Sequence, residues 1–135
     1  MTAEERMRDI TQTKILFAED NPDNFVILQA FLKDMGFKKV TGTTNGKELI
    51  ELYETMTDEC GLIILDIQMP IMNGVEALEH IRSCNKSIPV IALTAFALKE
   101  DVRRFMNAGF TAYLAKPYKQ NDLYDIIEKC LEDAE

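Results

Sequence analysis

Short apolar runs alternate with amphipathic stretches along the whole chain, and this alternation limits the fold more than any other feature. Lys14-Ile15-Leu16-Phe17-Ala18 is brief, apolar and ends at acidic residues, which predicts a buried strand. Pro22 then stands where a helix can begin. Phe25, Leu28, Phe31, Leu32 and Met35 follow at helical spacing, and Gly36 stops the pattern. Residues 38–43 predict a second, weaker strand near a sheet edge. Asn45 is placed to cap a helix with Leu49, Ile50 and Tyr53 on one face. Leu62-Ile63-Ile64-Leu65 is the most apolar run and suits a central parallel strand covered on both faces. Pro70, Asn73 and Gly74 mark a loop before a helix carrying Val75, Leu78 and Ile81. Residues 89–93 predict the fourth strand and 98–108 a helix ended near Gly109. Residues 112–115 predict the fifth strand, and 122–131 a last helix beyond Pro117.

Five strands and five helices in strict alternation require right-handed crossovers and a parallel sheet with helices on both faces. The expected class is therefore a doubly wound α/β fold. A length of 135 residues suits one domain, and 47% hydrophobic with 28% charged residues is globular rather than disordered. Residues 14–135 are expected to form that domain, with 1–13 a tail or a short extra helix. A net charge of -8 repels a phosphate backbone, so direct nucleic-acid binding is not expected. Cys60, Cys84 and Cys130 lack any CxxC pairing, which predicts reduced thiols in the cytoplasm rather than a disulfide framework or a zinc site. Apolar runs stop at about six residues, and the N-terminal stretch is polar and charged. Crossing a bilayer needs about 20 apolar residues, so no membrane insertion is expected. A monomer is expected.

Polar residues gather just beyond the C-terminal ends of four predicted strands. Glu19 and Asp20 follow the first, Asp66 closes the third, Thr94 the fourth, and Lys116 follows the fifth. In an open α/β sheet those ends line one crevice where ligands bind. Three carboxylates in one crevice repel one another, and at least one resists ionising unless a cation is present. Oxygen ligands select a hard divalent ion such as Mg²⁺, which takes one or two carboxylates and keeps water or phosphate oxygens. A remaining carboxylate is then free to act as nucleophile and form an aspartyl phosphate. Lys116 by charge and Thr94 by hydrogen bond can hold the transferred oxygens.

These residues resemble a response-regulator receiver domain of two-component or phosphorelay signalling, from Lys14 to Leu131. The matching segments are Ile15-Leu16-Phe17-Ala18-Glu19-Asp20-Asn21, Leu65-Asp66-Ile67-Gln68-Met69-Pro70 through Asn73-Gly74, Ala92-Leu93-Thr94-Ala95, and Lys116-Pro117. The resemblance implies a flavodoxin-like sheet of strand order 2-1-3-4-5. It implies that Asp66 is the phosphoacceptor, Asp20 a direct Mg²⁺ ligand, and Glu19 an acidic partner acting through metal-bound water. It further implies that Gln68 lends its backbone carbonyl to the metal and Lys116 binds the phosphoryl group. Thr94 and Tyr113 match the switch pair, and the small Ala95 leaves room for the phosphoryl group. Gln68 and Phe96, two residues past Asp66 and Thr94, influence how water reaches the acyl phosphate in this family. They pull its lifetime in opposite directions.

The implied partners are a histidine kinase or histidine phosphotransfer protein, and a downstream protein docking on the face of the fourth predicted helix, fifth strand and fifth helix. The chain is expected to assist only its own phosphorylation and dephosphorylation, not to act as an enzyme. Three rival readings stand beside this one. A flavodoxin-like redox protein needs a Ser/Thr/Gly-rich loop where this chain has Glu19-Asp20, which repel a flavin phosphate. A phosphohydrolase with an aspartyl-phosphate intermediate generally carries a second Asp where this chain has Gln68. A scaffold receiver needs no intact acidic set, whereas Glu19, Asp20, Asp66, Thr94 and Lys116 are all present. A stand-alone regulator, a phosphorelay intermediate and a receiver excised from a hybrid kinase all remain open. His80 falls in the third helical pattern, away from the crevice, and is expected on the surface. Thr44-Asn45-Gly46-Lys47-Glu48 lacks the first glycine and the final Ser/Thr of a phosphate loop and is discarded.

Overall fold

Parallel pairing orders the five strands β2-β1-β3-β4-β5. The computed structural model describes residues 2–95 and 97–133, with the side chains of residues 6–9 excepted. Phe96 therefore lies outside the described residues. The strands are β1 (Lys14–Ala18), β2 (Val40–Thr43), β3 (Cys60–Asp66), β4 (Val90–Thr94) and β5 (Ala112–Ala115). The helices are α1 (Ala3–Ile10), α2 (Pro22–Asp34), α3 (Gly46–Glu54), α4 (Gly74–Cys84), α5 (Lys99–Ala108) and α6 (Gln120–Asp133). The five helices read from the sequence are thus joined by a sixth, α1. Its last residue, Ile10, is buried against the core, a contact that periodicity within residues 1–13 did not reveal.

Successive side chains of a strand point to opposite faces, so each apolar strand feeds two cores. Leu16, Ala18, Ile63, Leu65, Val90 and Ala92 pack with α3, α4 and Phe105 of α5. Ile15, Phe17, Leu62, Ile64, Ile91 and Leu93 pack with α1, α2 and α6. This is why the third strand reads as unbroken hydrophobicity: it is central and covered on both sides. The second strand sits at the edge, as its weaker pattern predicted, but begins at Val40 rather than Lys38. Val40 is the residue that pairs with Ile15, and Lys38 and Lys39 are exposed.

Side-chain caps fix where the helices begin. Asn21 accepts from the Asn24 amide at 3.0 Å, and Asn45 from the Glu48 amide at 2.9 Å. Asn73 and Glu76 cap each other reciprocally at the start of α4. The Asn45 segment is thus a helix cap, in line with discarding it as a phosphate loop.

Gly74 shows how tightly the loop after β3 is built. A Cβ there would lie 2.4 Å from the Asp66 carbonyl oxygen and 3.0 Å from Ile67 Cα. Backbone cannot yield as a flexible side chain does, and overpacking of this kind costs about 1–3 kcal/mol. Gly74→Ala is therefore expected to lower Tm by about 5 °C or more in a thermal melt followed by circular dichroism. An unchanged Tm would mean that the loop is slack.

Candidate functional site

The parallel ladder runs one step past the strand ends and brings the reactive residues together. The Glu19 amide bonds the Thr43 carbonyl at 3.0 Å, the Ile67 amide that of Leu93 at 3.0 Å, and the Lys116 amide that of Thr94 at 2.8 Å. Glu19, Asp66, Thr94 and Lys116 consequently stand side by side at the carboxyl edge of the sheet. With Asp20, Asn21, Ile67, Gln68 and Ala95 they line a cleft of about 240 Å³. Among the described residues, the cleft holds every site residue that the sequence singled out except Tyr113.

Lys116 lies at the centre. Its Nζ donates to Glu19 Oε1 at 2.6 Å and to Asp66 Oδ2 at 3.0 Å. Glu19 is 1% exposed and Asp66 5%, so both are shielded from water, while Asp20 lies at the exposed mouth. Carboxylate oxygens of Glu19, Asp20 and Asp66 all lie within 4.8 Å of one another. Thr94 is 1% exposed and lines the same cleft.

One ammonium cannot balance this many buried carboxylates, and the two that it touches respond in opposite ways. Burial opposes ionisation of Glu19, but hydrogen bonds to Asp66 and Lys116 and the lysine charge outweigh it and hold the carboxyl below its usual range. Burial, then the hydrogen bond and charge of Glu19, push Asp66 up to about 7 despite the ammonium. Burial opposes the charge on Lys116, yet the two carboxylates raise its pKa overall. The surplus negative charge and the all-oxygen donor set fit a hard divalent cation.

Two backbone donors that the sequence gave no sign of complete the cradle. The Asn21 amide bonds Glu19 Oε2 at 3.2 Å, and the Gln68 amide bonds Asp66 Oδ1 at 3.3 Å. Such contacts come from loop geometry, and no residue type marks them. Tyr118 also escaped notice, although it sits two residues past Lys116. It lines a neighbouring cavity of about 370 Å³ with Asn24, Ile27, Ala95, Lys116 and Pro117. Burial, followed by the charges of Glu19 and Asp66, raises its phenol pKa.

Ile71, in the same loop as Gln68, is the one non-glycine residue with positive φ among those described, at 69°. The Met72 amide closes onto the Pro70 carbonyl at 2.7 Å, so Ile71 is the middle of a three-residue γ-turn. Its side chain is 75% exposed, and packing does not repay the strain of a β-branched residue there. Ile71→Gly is expected to stabilise the protein by about 1 kcal/mol, read as a higher urea midpoint at unchanged m-value. A lower midpoint would show that the side chain makes contacts that outweigh the strain.

Tyr113 stands apart from the cleft and is 37% exposed. It pairs with Ala92 in the sheet, two residues before Thr94 on the neighbouring strand, so Tyr113 and Thr94 share a face. It borders a groove of about 400 Å³ with Met106, Ala112, Ile126 and Cys130. His80 is exposed on α4, and among the described residues no helix is long and apolar enough to cross a membrane.

A five-stranded parallel sheet with an acidic cleft, a lysine and a hydroxyl at its carboxyl edge defines the CheY-like, flavodoxin-like class of signalling domain. The family described as "Response regulator receiver domain" matches residues 15–128, and the chain belongs to that family. It is 30% identical over 124 residues to "Two-component system protein A" of Emericella nidulans, covering 91% of this chain but 18% of that protein. It is 35% identical over 128 residues to an uncharacterised 14.6 kDa protein of Leptolyngbya boryana, covering 93% of this chain and 95% of that one. Among solved structures, the receiver domain of sensor histidine kinase PA1611 from Pseudomonas aeruginosa superposes with a TM-score of 0.80 at 32% identity. That match covers 90% of this chain and 98% of the other, whose active-site cleft holds a magnesium ion. The chain thus spans less than a fifth of the Emericella relative's length.

Proposed function

We propose that this chain accepts a phosphoryl group from a phosphohistidine onto Asp66 and, once phosphorylated, changes a protein-docking face. The observation that carries this reading is Asp66 in a shielded cleft with Lys116 Nζ 3.0 Å from its Oδ2. An Asp66 oxygen attacks phosphorus, the P–N bond breaks, and the imidazole leaves with the bonding electron pair. The product is an acyl phosphate on Asp66. Lys116 pairs with the charge of the transferred oxygens, and the Thr94 hydroxyl donates to one of them. Carboxylates of Glu19, Asp20 and Asp66, with the Gln68 backbone carbonyl, would hold Mg²⁺. The ion supplies charge neutralisation for an anionic phosphodonor entering an anionic site. The chain is a phosphoacceptor that acts on its own Asp66 rather than an enzyme with external substrates.

A phosphoryl group brings about -1.5 to -2 charge and three acceptor oxygens. Drawing Thr94 toward it frees space on the face that Tyr113 shares, and the aromatic ring then turns inward. The face of α5, β5 and α6, where Met106 and Tyr113 are now exposed, presents the change to a downstream protein. A protein donor, a histidine kinase or histidine phosphotransfer protein, is supported by the placing of exposed apolar residues. Val26, Ile27, Ile71 and Leu98 all lie in segments that follow the carboxyl ends of β1, β3 and β4, at the same end of the sheet as Asp66.

Incubating the protein with acetyl phosphate and Mg²⁺, then recording the intact mass, tests the reading. One added phosphoryl group, lost when the metal is chelated and mapped by peptide analysis to Asp66, is expected. A folded protein that gains no mass, or gains it at another residue, would overturn the assignment.

A further inference from the structure

Arg82, on α4, is not part of the cleft and pairs with no carboxylate among the described residues, yet its guanidinium makes four hydrogen bonds. Its Nε donates to the Gly109 carbonyl at 2.9 Å, and Nη1 to the carbonyls of Asn85 and Ile88 at 3.2 and 2.7 Å. Nη2 reaches Thr111 Oγ1 at 3.4 Å. The same Thr111 oxygen accepts the Val90 amide at 3.0 Å. One guanidinium therefore ties the end of α4, the entry to β4, the end of α5 and the entry to β5. Its planar fork suits such a cluster of neutral acceptors, and its charge lies at the negative ends of two helix dipoles. The stem is close as well: a Cβ on Gly109, whose φ is 117°, would lie 3.6 Å from Arg82 Cγ.

Among the described residues, the other end of α5 has no such anchor. Its N-cap, Leu98, makes no side-chain cap bond and is 73% exposed. Phe105 is the one buried side chain of the helix, and it stacks edge-on against Phe110 at 6.2 Å, again at the carboxyl end. The loose end is the one joined through residues 95–98 to Thr94 in the cleft, whereas the pinned end is farthest along the helix from it.

We propose that Arg82 is a pivot pin for α5: it fixes the carboxyl end, so the response to phosphorylation is a swing of the amino end of the helix. This rests on the phosphoacceptor reading for its trigger, but the pin itself is a property of the unmodified protein. A displacement of Thr94 pulls on 95–98, and a helix held at one end turns that pull into rotation rather than translation. The side chains carried furthest are those of Leu98, Val102 and their neighbours, while Phe105 to Thr111 keep their places.

Amide hydrogen exchange on the full chain tests both parts. In unmodified wild type, amides of 105–110 should exchange at least tenfold more slowly than those of 102–104. In Arg82→Met, which keeps the stem and loses the donors, that gradient should vanish. Arg82→Lys, which keeps charge without the fork, should fall between. No gradient in wild type, or one that survives intact in Arg82→Met, overturns the pin. After acetyl phosphate and Mg²⁺, with uptake verified by mass on the same sample, wild type should change at 97–104 and not at 105–111. In Arg82→Met the change should spread through 111. Equal changes at both ends of wild-type α5 overturn the pivot, whereas absence of the added mass counts against the phosphoacceptor reading alone.

Discussion

Asp66→Asn is expected to take up no phosphoryl group and, in metal-free buffer at pH 8, to melt at a higher temperature than the wild type. The first effect is complete loss, because the amide has no nucleophilic carboxylate oxygen. The second follows from the environment of the carboxyl. Burial, then Glu19, pushes Asp66 up to about 7 from an ordinary value of 3.8. Between those values the folded protein holds a proton that the unfolded chain has released. Stability contributed by this group is therefore greatest at low pH and is lost as the pH rises to about 7. Above that the ionised carboxylate carries its full penalty, and asparagine avoids it. Glu19 acts with the opposite sign. Its lowered pKa gives stability that is present above its ordinary value and is lost as the medium is acidified below it. Melts from pH 5 to pH 8 should show the advantage of the variant growing with pH. Millimolar Mg²⁺ should raise the wild-type Tm and move that of the variant much less. An advantage that is flat across this range would show that Asp66 is not protonated near neutrality.

Replacing the other partner reverses the balance. Lys116→Met leaves Glu19 and Asp66 buried side by side with no other ion-pair partner among the described residues. Removing one member of a buried ionic cluster typically costs about 3–5 kcal/mol, because the remaining charge stays desolvated. The loss should be largest at pH 8 and smaller at pH 5.5, where Asp66 can hold a proton instead. Mg²⁺ should restore part of it, and its affinity, read by isothermal titration calorimetry, should rise because a competing cation has gone. Phosphoryl uptake should nevertheless slow by at least about tenfold, since the ammonium no longer meets the transferred oxygens. A variant that melts like wild type at pH 8 would mean that water, not Lys116, compensates the carboxylates.

The opposite signs expected for these two variants come from one geometric fact, a single ammonium shared by two buried acids. The identities of those residues were legible in the chain. Glu19, Asp66, Thr94 and Lys116 each stand at or just past the end of an apolar run, and parallel strands bring such ends to one edge. That Lys116 would touch Glu19 and Asp66 together, and that Asp66 rather than Glu19 would keep its proton, was not legible. Both depend on distances of a few ångströms between residues 50 and 97 positions apart.

Local chemistry marked the strands, the cap at Asn45, the loop at Asn73 and Gly74, and the stop at Gly109, because periodicity, turn and capping preferences act over a few residues. The reciprocal cap of Asn73 and Glu76 appeared only in the structure. Helix α1 was left open, since its anchoring depends on Ile10 reaching a core built by segments far along the chain. The same limit hid the Asn21 and Gln68 amides, Tyr118 beside the cleft, the strained turn at Ile71, and the four bonds of Arg82. A lone arginine in a helical pattern reads as solvated surface until the fold brings Gly109 and Thr111 to it. By itself the sequence determined the alternation, and hence the parallel sheet and the set of residues at its carboxyl edge. Only the tertiary structure decided which of those residues meet, because protonation and hydrogen bonding turn on separations that no one-dimensional pattern encodes.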